Sequence, residues 1–188
     1  MSRTKVDVGL LKRAATISYI SGIWDLVAGV VLVAAILMAI GPFLSMMVPP
    51  YTFSLATLTQ MFNSIMLALT VVLGITMMIT IIFGYFLYKV GSQYDVGSLK
   101  VAGISAIIIS LAIPVRIYGL YQFKTALVSI PIPPPITITS YILGALYPVL
   151  LGAAVMGIFY LVFFISFLIG ASGMKNKTGI DGFHTAMI

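Results

Sequence analysis

Apolar and polar positions in this chain are sorted into long blocks and do not follow the turn-by-turn alternation of a surface helix. Apolar residues run on, broken only by Ser, Thr, Gly and a few other polar residues, over about 15–40, 62–88, 101–121 and 141–170. Each run exceeds the roughly 18 residues beyond which a membrane span is a better reading than a core helix. The pattern therefore predicts an all-α chain, a four-transmembrane-helix bundle. The first run is also far longer than the ~7–15 residues of a secretory signal core, so it reads as a span and not as a cleaved leader.

What separates the runs gives the arrangement. The polar stretch KVGSQYDVGSLK, Lys89 to Lys100, stands between the second and third spans. The other two connections contain Pro49-Pro50 and the segment SIPIPPPITITS, Ser129 to Ser140. Proline runs favour stiff, extended backbone. This layout predicts two helical hairpins joined by a tight polar loop. A basic N-terminal segment (1–14) would lead into a membrane domain (15–172) and a C-terminal tail (173–188). Asp7 is placed to cap a first helical turn, with Leu10, Leu11, Ala14 and Ile17 recurring near helical spacing behind it.

Charge fixes the expected orientation. Arg3, Lys5, Lys12, Arg13, Lys89, Lys100, Lys175 and Lys177 collect on one face of this layout, against Lys124 and Arg116 towards the other. By the positive-inside rule both termini and the central loop are cytoplasmic, and both proline segments external. Net charge is +6, which suits anionic lipid and gives no sign of nucleic acid, because no folded basic domain is there to carry one.

Composition narrows function. The 188 residues are 61% hydrophobic and 7% charged, against about 25% charged in a soluble domain. Cysteine and glutamate are absent, the acids are Asp7, Asp25, Asp95 and Asp181, and the one histidine is His184. A metal, haem or acid–base centre needs several such groups converging. The chain therefore reads as non-catalytic and without a cofactor.

Asp25 is the residue that most needs explaining. It sits among Ile23, Trp24, Leu26 and Val27, about 18 Å along a helix from Arg13. Arg116, in span three, lies about 24 Å from Lys100 on the same scale. An intramembrane charge of either sign should face protein or water. An Asp25–Arg116 ion pair between spans one and three is the expectation, either orienting the bundle or coupling to a proton or ion; a shallower Asp25 at the interface is the alternative.

Small residues at close-packing spacing mark Gly22, Gly74, Gly144, Gly152, Gly157 and Gly170 as expected helix contacts. Tyr118, Tyr121, Phe123, Tyr141 and Tyr147 read as an external aromatic belt, and Tyr85 and Tyr88 as an internal one. A planar lipid-soluble ligand such as a quinone is the competing reading of that belt. Met46, Met47, Met61, Met66, Met77 and Met78 read as packing, since no Cys and no second His could join them around a soft metal.

The halves also echo each other. Leu11-Lys12 with Ala14-Ala15 matches Leu99-Lys100 with Ala102-Gly103, and both proline segments are followed by Thr and Ser. That is the signature of a parallel repeat about an axis along the membrane normal, although apolar helices with proline loops also look alike by chance.

The run from Tyr88 through Gly91, Tyr94-Asp95 and Leu99-Lys100 to Gly103 resembles a pattern in small multi-pass archaeal membrane proteins of uncharacterised function. The resemblance covers about fifteen residues. It implies an archaeal plasma membrane and carries over no catalytic residue.

Taken together, the expected role is an accessory or structural subunit of a larger membrane complex, respiratory or transport, with membrane lipids and other membrane subunits as partners. A small transporter or channel using Asp25 and Arg116 is the rival. A self-assembling coat or envelope protein would share the same composition, and a lipid-modifying enzyme is a more distant reading.

Overall fold

The computed structural model describes residues 7–45, 55–129 and 138–178. The Pro49-Pro50 segment with Met46 and Met47, residues 130–137 of the second proline segment, and the tail with Asp181 and His184 lie outside the described residues. Four helices make up nearly all of the rest: α1 (Val8–Ser45), α2 (Leu55–Gln93), α3 (Gly97–Val128) and α4 (Ile138–Thr178). All four are long and apolar enough to cross a membrane.

The helices overrun the apolar blocks because their ends are chemically finished. Asp7 caps α1: its carboxylate accepts the Leu10 N–H at 3.0 Å, and helix starts at Val8, seven residues before the apolar run. Between α2 and α3 only Tyr94, Asp95 and Val96 intervene. The Val96 N–H donates back to the Gly91 carbonyl at 2.8 Å, the six-to-one bond of a Schellman turn. Asp95 takes the left-handed position at φ 51°, where glycine is usual and Asp is among the few tolerated substitutes. Pro114 and Pro148 are both carried inside helices, α3 and α4. A span tolerates this where neighbouring groups re-satisfy the freed carbonyl.

The chain packs as two compact units. The first comprises Met1–Ile23, Met77–Ala112 and Ala154–Ile188. Its core gathers Leu10, Leu87, Val90, Tyr94, Leu99 and Met174. Phe163 and Phe167 stack at 5.7 Å, and Phe83 meets Phe163 edge-on at 6.1 Å. Here α2 and α3 run antiparallel and in backbone contact: a Cβ on Gly103 would lie 2.5 Å from the Gly84 carbonyl, and one on Gly91 would lie 2.7 Å from the Lys100 nitrogen.

The second unit comprises Trp24–Thr76 and Ile113–Ala153. Trp24 donates its indole N–H to the Thr76 hydroxyl at 2.8 Å, Thr70 and Tyr121 hydroxyls meet at 3.5 Å, and Lys124 donates to the Asn63 side chain. Gly119 lets α3 approach α4, where an added Cβ would stand 2.8 Å from the Val149 nitrogen.

Burial is uneven among the helices. Half of the most apolar window of α3 is buried, against 6% for α1 and for α4.

Candidate functional site

In the first unit the N-terminus of α1 is fastened to the α2–α3 turn. The Asp7 backbone N–H donates to the Tyr94 hydroxyl at 2.8 Å, and the Gln93 amide reaches the Asp7 carboxylate at 3.5 Å. Chiefly through the Leu10 N–H, and next through Gln93, the Asp7 carboxyl is held below its ordinary value of 3.8. Asp7 is therefore ionised across the physiological range, and the cap is a fixed structural device with no proton to exchange there.

Beside this fastening lies an apolar pocket of about 150 Å³. Its α1 wall is Leu11, Ala14, Ala15 and Ser18, small enough to leave a gap. Phe83 and Leu87 of α2, and Phe167 and Met174 of α4, form the facing walls. Ser18 is the one polar residue among the lining side chains. Among the described residues of this unit, Lys12, Arg13, Lys89, Lys100, Lys175 and Lys177 are basic, against the acids Asp7 and Asp95. Lys89 lies 5.9 Å from the Tyr85 ring centroid, and Lys100 pairs with Asp95 at 3.4 Å.

The second unit holds Asp25 and Arg116, and the structure does not join them. The ion pair formed between described residues is Lys100–Asp95. Asp25 is exposed on α1, next to Leu26 at 75% exposure and on the side away from the half-buried Trp24. Arg116 is half-buried, its backbone and Cβ about 3.5 Å from where a Gly152 Cβ would stand, and its Nε is buried without a hydrogen-bond partner. The expected pairing treated depth as sufficient. Helical rotation decides instead, because Trp24 takes the inward position next to Asp25 and turns the carboxylate outward.

The expected packing glycines divide in the same way. A Cβ on Gly170 would stand 2.6 Å from the Leu99 side chain and one on Gly152 would make ordinary contact with Arg116, whereas Gly22, Gly74, Gly144 and Gly157 have nothing within 4 Å of an added Cβ. The close approaches are at Gly84, Gly91, Gly103 and Gly119. Spacing of four residues selects small pairs on any face of a helix. The contact pair Gly84 and Gly91 is spaced by seven, two full turns, and that spacing was the available signal.

Among the described residues, no cluster of His, Cys, Asp or Glu could hold a metal ion. No protein-family model, no curated protein and no solved structure matches the chain. What the geometry offers is an apolar pocket within a basic unit, and an exposed carboxylate on a helix long and apolar enough to cross a membrane.

Proposed function

We propose that this protein is a non-catalytic integral membrane subunit, built as two helical hairpins with cytoplasmic termini, that works by packing against other membrane proteins in a larger complex. The observation that carries the proposal is the outward-facing Asp25. A carboxylate at mid-span costs about 2.5–3.5 kcal/mol on insertion scales. Among the described residues no cation pairs with Asp25, the ion pair formed there being Lys100–Asp95. A neighbouring subunit presenting a basic or hydrogen-bonding group offsets that cost. Gly22 and Gly29, three residues before and four after Asp25 on the same helix, have nothing within 4 Å of an added Cβ, and a second helix can approach closely there.

The test is extraction from native membranes in mild detergent, followed by native mass spectrometry of the intact particle. The expected result is a stable companion that is lost from an Asp25→Leu chain which itself still folds. A lone monomer in both cases overturns the proposal, and a large homo-oligomer shifts it to a self-assembling coat. A second reading, transport, rests on Arg116, whose buried Nε lacks a partner. It predicts solute flux in proteoliposomes that Arg116→Met abolishes.

A further inference from the structure

We propose that the pocket of the first unit is a lipid site that takes a stretch of one acyl chain from an anionic membrane lipid, with the headgroup held by the surrounding basic side chains. The argument stands apart from the role of Asp25 and begins with volume. A space of about 150 Å³ equals the engineered apolar cavities that stay dry and bind benzene-sized hydrocarbon. Water is a poor occupant, because a buried water needs 2–4 polar partners and Ser18 is the one polar residue in the lining. A quinone is poor for the same reason: its ring carbonyls would find a single hydroxyl. A hydrocarbon chain needs no hydrogen bond at all.

Position then selects the lipid. Five lining residues are each followed or preceded in sequence by a cation: Leu11 by Lys12, Ala14 by Arg13, Val90 by Lys89, Leu99 by Lys100 and Met174 by Lys175. On these helices and at the turn between them, the pocket wall and the charged rim are therefore one residue apart. Lys12 and Arg13 also border a shallow groove with Thr16 of α1 and Phe86 of α2, open space that a phosphate can occupy without displacing a packed side chain. Among the described residues of the unit, six basic side chains against two carboxylates favour a negative headgroup over a zwitterionic one.

The experiment uses the full chain in lipid nanodiscs with phosphatidylglycerol carrying a nitroxide on one acyl chain, and phosphatidylcholine labelled the same way. Electron spin resonance reads the motionally restricted fraction. The expected result is about one restricted phosphatidylglycerol per chain and several-fold less for phosphatidylcholine. Ala15 lines the pocket yet is exposed, so Ala15→Phe fills the space from outside and should remove the restricted component. Ser18→Leu provides a second filling variant. Ala154→Phe adds the same bulk on an exposed part of α4 outside the pocket and should leave the component unchanged. Lys12→Gln with Arg13→Gln should lower the preference for phosphatidylglycerol by about five-fold per charge removed. A restricted fraction that survives both filling variants, or that is equal for the two lipids, overturns the proposal.

Discussion

Replacing Gly103 by alanine tests the tightest of the described glycine positions. The new Cβ would stand 2.5 Å from the Gly84 carbonyl oxygen and 2.6 Å from the Tyr88 nitrogen, both backbone atoms of α2 that no rotamer change can move. Restoring an ordinary 3.4 Å contact requires the two helices to separate by about 0.9 Å at this level, and a gap of 0.5–1 Å forfeits a quarter to a half of the dispersion energy of the atoms facing it. Overpacking of this kind costs about 1–3 kcal/mol. Backbone on both sides places this site near the upper end, and alanine recovers about 1 kcal/mol in helix propensity, so the net loss should be about 2 kcal/mol. Gly157→Ala is the control: an added Cβ there meets nothing within 4 Å, and stability should hold or rise by up to about 1 kcal/mol. Reversible unfolding by SDS in mixed micelles, followed by far-UV circular dichroism, gives both values. If Gly103→Ala unfolds at the same SDS fraction as Gly157→Ala, the backbone contact is not what holds α2 to α3.

Trp24→Phe removes the indole bond to Thr76 and should cost about 0.6 kcal/mol, the usual worth of an interhelical hydrogen bond in a membrane; a double-mutant cycle with Thr76→Val measures it. Asp95→Gly keeps the left-handed turn without a Cβ and should leave stability unchanged or raised, while Asp95→Val should lower it by about 1–2 kcal/mol in the same SDS titration. Because the Asp7 carboxyl lies below 3.8 when folded, its contribution is complete above that pH and is lost as the pH falls through the lowered value. The Leu10 amide resonance, whose proton that carboxylate accepts, should titrate with a midpoint below 3.8, and a midpoint at or above it contradicts the capping geometry.

Hydropathy alone located the four helices, because a run of twenty apolar residues has few other stable fates and the signal is summed over many positions. The helix ends were less legible. The first seven residues of α1 carry mixed polarity, and only the Asp7 cap and its bond to Tyr94, 87 residues away in sequence, explain why helix begins there. Rotation about each helix axis was the least legible quantity. For Asp25 and Arg116 the azimuth was not legible, since nearly uniform apolarity erases the polar stripe that marks the inward face of a soluble helix. The same loss misdirected the choice of glycines: Gly22 and Gly157 obey small-residue spacing yet face open space, while Gly84 and Gly103 carry the contact.

The turn of Tyr94, Asp95 and Val96 bears on how the chain is made. Three residues reach at most about 10 Å, too little for the end of α2 and the start of α3 to lie far apart. Translation at about 5–20 residues per second needs roughly 2–6 s to deliver the 32 residues of α3. Throughout that interval α2 waits with the trough at Gly84 and Gly91 unfilled, since the surface that closes it has not yet been synthesised. On the membrane reading proposed above, the exposed trough of α2 is closed only when α3 follows, so a mutation that widens the trough would burden the making of the chain as well as the finished fold.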